Sequence, residues 1–274
     1  MFKKILENVI AKTPLVHNIT NYVTVNDCAN IILACGGSPI MADDISEVEE
    51  ITSICNSLVI NIGTLNERTI NAMIIAGKKA NSLGHPVILD PVGAGASSLR
   101  TETVFRLIKE VKFSVVRGNI SEIKAVYSGT SSTKGVDANI ADIVTEKNID
   151  EVVSFSKTLS ERTGAVIAIT GALDIVTDLN KTYIIKNGHS MMGKITGAGC
   201  MLTSLIGAFC GANCDNLLDA TAAAVCSMGI CGELAYKKVL KTEGGTSSFR
   251  TSLIDYMSKF NYDVLKEEMK IESR

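Results

Sequence analysis

HPVILDPVG (85–93) is a short, nearly continuous apolar run with a carboxylate, a proline and a glycine directly behind it. Such a run is typical of a strand in a parallel sheet, because helices cover both faces of the sheet and bury every side chain. Helical patterns over residues 67–83 and about 101–110 separate it from similar runs. Those runs are SLVINIG (57–63), FSVVRGN (113–119) and AVIAITG (165–171). The alternation predicts an α/β fold, a three-layer α/β/α sandwich with a mainly parallel central sheet.

Two other regions have different patterns. TDLNKTYIIKNG (177–188) has two short strands about a polar turn, and it predicts an antiparallel hairpin at one edge of the sheet. The most apolar region, roughly 199–235, is interrupted by polar residues at 213–219. Neither half reaches the ~20 apolar residues that a bilayer span requires. We therefore expect two buried helices of a soluble fold and no membrane partner.

The composition is that of a globular protein. The chain has 274 residues, of which 46% are hydrophobic and 20% charged, and no linker-like segment divides it. We therefore expect one domain over residues 1–274. A formal net charge of −2 gives no electrostatic footprint for nucleic acid or an acidic membrane.

The N-terminus and the cysteines bear on localisation. MFKKILENVIAKT (1–13) lacks the long apolar stretch and cleavage site of a secretory signal. The eight cysteines include no C-x-x-C pair, and the chain has only three histidines, so buried free thiols are favoured over zinc ligands or disulfides. Many unpaired thiols fit a reducing compartment, and we expect a cytoplasmic protein.

Polar residues and glycines stand where the apolar runs stop. Ligands of open α/β sheets bind outside the carboxyl ends of the strands, so we expect the functional surface there. The residues concerned are Gly63, Asp90-Pro-Val-Gly93, Arg117-Gly-Asn119 and Thr170-Gly171.

Thr196-Gly-Ala-Gly-Cys200 opens the long apolar region and suggests an anion site. Thr196 is a good N-cap, the glycines allow close approach of a ligand, and first-turn amides with the helix dipole favour an anion. The alternative is an ordinary helix start with glycines for close packing. The pKa of the Cys200 thiol should fall at a helix N-terminus, making it a candidate base, although a buried inert cysteine fits equally well.

Asn119-Ile-Ser-Glu122 ends one strand and begins a helix. It should put the Glu122 carboxylate beside the same sheet edge as Asp90. Two carboxylates near bound phosphates suit Mg²⁺, which prefers oxygen ligands and keeps several waters. The alternative is a helix-capping pair.

Two familiar phosphate motifs are nearly matched, and we reject both. Gly188-x4-Gly193-Lys194 has the spacing of a P-loop, but Ile195 replaces the Mg-binding Ser/Thr and the motif follows a hairpin. Gly93-Ala-Gly95 begins like a dinucleotide-binding fingerprint, but Ser98 stands at the third glycine.

Taken together, the motifs at 196–200, 119–122 and 90–95 resemble those of the ribokinase-like superfamily of ATP-dependent alcohol kinases. Within it the chain resembles the hydroxyethylthiazole kinase family. The resemblance covers nearly the whole chain in the right order. It extends through Pro14–Thr24, Gly37–Ala42, Asn61–Thr64, Arg117–Asn119 and Gly245–Arg250.

The resemblance implies roles for matching positions. ATP would phosphorylate the primary alcohol of a hydroxyethylthiazole, on the thiamine synthesis and salvage route. The backbone at Gly197, Ala198 and Gly199 would stabilise charge on the transferring phosphoryl, and Cys200 occupies the place of the usual aspartate base. Asp90 and Glu122 would organise Mg²⁺. The positions implied for ATP are Arg117, Asn119 and Thr170, and those implied for the thiazole are Met41, Gly197 and, facing the alcohol, Asn21.

One position departs from the family pattern, since Ala198 stands where threonine is common. Alanine at this position cannot make the hydroxyl contact that threonine could make, but the backbone amides are unchanged. The family also implies a homotrimer with active sites shared between subunits, in which the segment around Met41 would meet a neighbour's catalytic helix.

Three alternatives stay open. The acceptor could be a hydroxymethylpyrimidine or a sugar alcohol, although the N-terminal signature and Met41 favour the thiazole. ATP-driven repair of damaged nicotinamide cofactors is a second alternative, and Cys200 in place of an acid disfavours it. A non-catalytic thiazole or nucleotide sensor is the third, and the retention of Asp90 and Glu122 disfavours it.

Overall fold

The computed structural model describes residues 1–130 and 143–274. Its strands are β1 (Leu15–Ile19), β2 (Ser38–Ile40), β3 (Ser57–Asn61), β4 (Val87–Asp90), β5 (Val115–Gly118), β6 (Val166–Ile169), β7 (Asp174–Thr177), β8 (Thr182–Ile185) and β9 (Ile271–Ser273). Its α-helices are α1 (Lys3–Lys12), α2 (Val25–Ala34), α3 (Val48–Ile54), α4 (Glu67–Leu83), α5 (Ser98–Glu110), α6 (Ile120–Thr130), α7 (Ile149–Thr163), α8 (Ala198–Ala212), α9 (Leu217–Lys241), α10 (Thr246–Met257) and α11 (Tyr262–Glu268). A 3₁₀ helix covers Ser190–Lys194.

One sheet joins the described strands in the order β2-β1-β3-β4-β5-β6-β7-β8-β9. The first six in this order pair in parallel, and β7, β8 and β9 add antiparallel strands. The predicted architecture, an α/β/α sandwich with a mainly parallel sheet, is confirmed.

The predicted hairpin exists as β7 and β8, but its predicted position at the sheet edge is wrong. The short C-terminal strand β9 pairs with β8 and lies outside it. Sequence reasoning assigned no strand to this segment, because three residues are too few to display an alternating pattern.

Side chains alternate between the two faces of the sheet, as a two-residue strand period requires. In β3, Val59 packs into the cluster formed with α8 and α9, whereas Leu58 and Ile60 pack into the cluster formed with α4 to α7. Helix α8 lies very close to the sheet, since a Cβ at Gly207 would stand 2.5 Å from Val59 Cγ2. The glycine therefore sets how closely α8 approaches the centre of the sheet.

The apolar C-terminal region forms α8 and α9, separated at 213–216 as the polar interruption predicted. The expectation that neither half is long enough to span a bilayer is wrong for α9. This helix has 25 residues, and among the described residues it is the one helix long and apolar enough to cross a membrane. However, 78% of its most apolar window is buried inside the structure, as in a core helix.

Candidate active site

A buried polar cluster forms where β3 and β4 end. Asn61 and Asp90 are the last residues of these strands and stand side by side in the parallel register. Asn61 Nδ2 donates to Asp90 Oδ2 over 2.8 Å. Thr203, one turn into α8, donates its hydroxyl to the same oxygen over 2.8 Å. The cluster therefore fixes one oxygen of the Asp90 carboxylate from two sides.

The other oxygen of Asp90 is free for a ligand. The side chain has 0% exposure, and Oδ1 has no hydrogen-bond partner within residues 1–130 and 143–274. Arg117 Nη1 lies 3.7 Å away, beyond hydrogen-bond distance. Burial raises the pKa of Asp90 to about 6, and the nearby Glu122 charge adds to the rise, although Arg117 opposes it. A buried carboxylate with one unpaired oxygen is a strong candidate for binding a cation.

Cys200 lies in the first turn of α8, beside this carboxylate. The side-chain amides of Asn21 and Asn61 both donate to Cys200 Sγ over 3.3 Å. The predicted fall of its pKa is wrong: burial, and then the Asp90 charge, raise the pKa of the thiol above its ordinary value. The effect of the helix N-terminus does not outweigh the loss of solvation and the repulsion from a neighbouring carboxylate. The thiol is therefore protonated at neutral pH.

Asn21 is held rigidly against Cys200. It is buried, and its Oδ1 accepts hydrogen bonds from the backbone N–H of Thr24 over 3.1 Å and from its hydroxyl over 3.0 Å. Its Nδ2 also donates to Asn61 Oδ1 over 3.1 Å. A Cβ at Gly63 would stand 2.9 Å from Asn21 Nδ2, so this glycine makes room for the amide.

The N-terminus of α8 differs in one detail from the prediction. Thr196 was expected to be the N-cap, but Gly197 occupies that position and Ala198 is the first helical residue. Gly197 has φ +88, a left-handed conformation that favours glycine, and a Cβ there would stand 2.8 Å from Thr24 Cγ2. In the described part of the chain no side chain caps this helix start. Its first amides are therefore available to an anion.

Gly199 leaves space for the side chain of Arg117. A Cβ at this position would stand 2.6 Å from Arg117 Nη1, so the guanidinium lies directly against the backbone of the helix start. The other Nη of Arg117 donates to Thr170 Oγ1 over 2.5 Å. The glycine thus allows a fixed positive charge to stand beside the open amides of α8.

Asn119 and Glu122 form the capping pair that was the alternative to a metal role. The N–H of Asn119 donates to Glu122 Oε2, and the N–H of Glu122 donates to Asn119 Oδ1, both over 2.9 Å. Glu122 Oε1 also accepts the N–H of Gly93, over 2.9 Å, in the loop that follows Asp90. The capping contacts therefore place this carboxylate on the Asp90 side of the site, as predicted.

The two carboxylates fit magnesium better than a transition metal. In the described ranges no three His, Cys, Asp or Glu side chains come together to hold a metal. Mg²⁺ is commonly held by one or two carboxylates, with waters and substrate phosphates completing its shell. The unpaired Oδ1 of Asp90 offers direct coordination, whereas Glu122 already accepts backbone N–H groups through both oxygens and suits a contact through water.

A cavity of about 710 Å³ opens beside this cluster. Arg117, Thr170 and the start of α8 form its polar end, and side chains of α8, α9 and the 3₁₀ helix form an apolar part. The rejected P-loop segment at 188–194 contributes to its wall as a 3₁₀ helix and not as a phosphate-binding loop. The lining residues used below are Gly171, Asp174, Gly193, Leu202, Val225 and Met228.

Most of the predicted site residues come together in this region. Met41 is set apart: it follows β2 at the edge of the sheet, and its side chain is 37% exposed. Sequence reasoning missed Asn61 and Thr203 as site residues. A polar residue at the end of the apolar run 57–63 was the available signal for Asn61, but nothing in the helical pattern distinguished Thr203.

The fold and the site geometry are those of a class of small-molecule kinases, the ribokinase-like superfamily. A ribokinase-like superfamily protein from Enterococcus faecalis V583 shares the fold at a TM-score of 0.64 and 12% identity, over 95% of both chains. The chain is a member of the Hydroxyethylthiazole kinase family, whose model matches residues 6–263. The predicted family is confirmed.

Three relatives define the extent of the similarity. The chain is 59% identical to the hydroxyethylthiazole kinase of Clostridium acetobutylicum, covering 100% of both chains. It is 53% identical to that of Clostridium tetani, covering 99% of this chain and 98% of the relative. The solved structure of the hydroxyethylthiazole kinase protein from Pyrococcus horikoshii OT3 matches at a TM-score of 0.88 and 34% identity, covering 100% of this chain and 98% of that one.

Proposed function

We propose that this protein transfers the γ-phosphoryl group of ATP to the primary alcohol of 4-methyl-5-(2-hydroxyethyl)thiazole, in thiamine synthesis or salvage. One observation supports this most strongly. Buried Asp90 and Asn61 and half-buried Cys200 form a cluster beside the uncapped N-terminus of α8, at the polar end of a cavity large enough for a nucleotide.

ATP occupies the cavity with its phosphates at the polar end. Arg117 and Thr170, which are joined by a hydrogen bond, contact the phosphates, and Asn119 fixes the adjoining helix start. The backbone at Gly197, Ala198 and Gly199 stabilises charge on the transferring group. Phosphoryl transfer depends mainly on positioning and on charge stabilisation, and these residues supply both.

Asp90 and Glu122 are the residues that would hold magnesium, Asp90 through its unpaired Oδ1 and Glu122 through water. The metal would neutralise charge on the phosphates when bound. Arg117, 3.7 Å from Asp90, then contributes a second, permanent positive charge on the same side.

The acceptor alcohol lies beside Cys200 and Asn21. Because burial raises the pKa of Cys200, the thiol orients the alcohol more than it removes its proton. The loose transition state of phosphoryl transfer makes early proton removal unnecessary. Gly197 and Met41 contact the thiazole.

We propose a homotrimer in which Met41 of one subunit completes a neighbour's site. Exposed apolar side chains near the site support this: Tyr22 is 80% exposed and Val23 is 59% exposed, and both follow Asn21 directly. Such side chains together favour a protein interface. We also propose that residues 1–274 form a single domain and that the protein is cytoplasmic.

Product identification tests the reaction and the acceptor together. Purified protein with Mg-ATP is given the thiazole alcohol or hydroxymethylpyrimidine, and products are identified by mass spectrometry. We expect thiazole phosphate and little pyrimidine phosphate. Pyrimidine phosphate alone would overturn the acceptor, and tight thiazole binding without any product would favour a sensor.

A further inference from the structure

Asp174 is a carboxylate inside the cavity to which no role has been given above. It is the first residue of β7, and it shares a sheet face with Val176, two residues further on. Val176 packs in the cluster that contains α8 and α9. Asp174 therefore faces the same helices. Accordingly, it lines the cavity, and its charge acts on Cys226 of α9.

The immediate partners of Asp174 leave part of its carboxylate unused. Its Oδ1 accepts the N–H of Gly171 over 2.8 Å, which closes the turn after β6. The positive charge of Arg117 acts on it, but the two do not form an ion pair within 4.0 Å in the described residues. Asp174 keeps part of its surface exposed to the cavity, and burial of the rest raises its pKa to about 7, so a ligand donor there would stabilise the charged form.

The residues that line the cavity limit the ligand groups that can supply this donor. Thr170 and Gly171, directly before the turn, adjoin the end where Arg117 and the start of α8 suit phosphates. Leu202, Val225 and Met228 form an apolar surface that suits a base. A carboxylate repels phosphates and requires a donor. In a nucleotide, the ribose lies between the phosphates and the base, and its hydroxyls are donors.

We propose that Asp174 accepts a hydrogen bond from a ribose hydroxyl and makes this protein select ribonucleotides over deoxyribonucleotides. The inference rests on the proposed function, in that a nucleotide occupies this cavity. It adds a specificity-determining residue that contacts the ribose, away from the phosphate that is transferred.

A purely structural role for Asp174 makes a different prediction. If the side chain only closes the turn through Gly171, then its loss disturbs the cavity wall and weakens the binding of every nucleotide by the same factor. If the side chain binds the ribose, its loss weakens the binding of ADP but not that of the analogue that lacks the contacted hydroxyl. The ratio of the two dissociation constants therefore separates the roles.

The test measures, by titration calorimetry, the dissociation constants of Mg-ADP, Mg-2′-deoxy-ADP and Mg-3′-deoxy-ADP for the purified full chain. We expect the wild type to bind ADP about tenfold or more tightly than one of the two deoxy analogues, because hydrogen bonds to charged groups are strong. In Asp174→Ala that ratio should fall to about one. Asp174→Asn keeps an acceptor for the Gly171 N–H and should give an intermediate ratio.

Three results would overturn the inference. The first is a wild type that does not distinguish ADP from either analogue, and the second is an unchanged ratio in Asp174→Ala with all three ligands weakened. The third is a wild type that binds no ADP, which would refute the nucleotide cavity itself. Selective ADP binding without thiazole phosphorylation would instead overturn the proposed function and leave this inference standing.

Discussion

The polar cluster at the ends of β3 and β4 and the cavity beside it are built in opposite ways. In the cluster, Asn61 joins Asp90, Cys200 and Asn21 through direct hydrogen bonds, and all of these residues are buried except Cys200, which is half-buried. The cavity wall instead contains several glycines and apolar side chains. The first region fixes reactive groups in place before any ligand arrives, and the second leaves space that a ligand fills. Substitutions should therefore act through chemistry in the cluster and through steric exclusion in the cavity wall.

Asp90→Asn should give the largest loss. We expect kcat/KM to fall by about 10³-fold or more, because the amide cannot coordinate Mg²⁺ as a carboxylate does. The same change removes a buried charge with an unpaired oxygen, so the melting temperature should stay equal or rise. Steady-state kinetics and thermal unfolding measure the two effects. A fall in both activity and stability would show that Asp90 is a structural residue.

Gly199→Ala should cost about 10²-fold in kcat/KM with a folded protein. The new Cβ would stand 2.6 Å from Arg117 Nη1 and force the guanidinium away from the helix start, and displacements of about 1 Å at an active site can have this effect.

Gly193→Ala is the matched control for this steric argument. Gly193 lines the same cavity, but a Cβ there meets nothing within 4 Å. We expect its kcat/KM to stay within about twofold of the wild type. Equal losses in the two variants would contradict the account of Gly199.

Cys200→Ser should have a moderate effect, of about tenfold on kcat. A catalytic base contributes typically about 10²–10⁴-fold, and a thiol whose pKa is raised by burial contributes less. Serine keeps a small polar group that can accept from Asn21 and Asn61. A loss above about 10³-fold in a folded variant would restore Cys200 as an essential base.

Substitution of His17 should have the smallest effect, and this effect is on the pH dependence of stability rather than on activity. It is buried in β1, with Nδ1 2.9 Å from Thr52 Oγ1 and Nε2 2.9 Å from Ala42 O, in the loop that follows β2. Burial lowers the pKa of His17, and the Ala42 contact only partly opposes this. Below pH 6.5 the unfolded chain therefore binds a proton that the folded chain does not, and stability falls as the pH decreases towards the folded pKa.

The measurement is urea unfolding of the wild type and His17→Gln between pH 7 and pH 5. We expect the wild type to have the steeper decrease below pH 6.5, by up to about 1.4 kcal/mol per pH unit. Parallel curves for the two proteins would contradict this.

The fold was largely predictable from the sequence, because buried parallel strands and the helices between them differ in length and apolar pattern. Helix α4 was predicted with its observed bounds, Glu67–Leu83, where Asn66 caps the start and Gly84 ends it. Strands β1, β2 and β9 were missed. β1 contains His17 and Asn18 and so lacks a continuous apolar run, and the other two have three residues each.

The sequence predicted most of the residues that lie together at the candidate site, whose roles stay predictions, but it did not predict the electrostatics of the site. Strand-end motifs indicated Asp90 and Arg117, since parallel strands end at one edge. The direction of the Cys200 pKa depends on how deeply the thiol is buried and on the nearby Asp90 charge. Neither quantity follows from the position of Cys200 at a helix start, which is why the sequence argument predicted the opposite direction.

The most direct test of the central claim is whether ADP formation requires the hydroxyl of the thiazole. Purified protein with Mg-ATP is given 4-methyl-5-(2-hydroxyethyl)thiazole or its 5-ethyl analogue, which lacks the hydroxyl, and ADP is measured over time. We predict saturable ADP formation with the alcohol, one ADP for each thiazole phosphate, and only background with the analogue. Equal rates with the two compounds would contradict phosphoryl transfer to the thiazole alcohol.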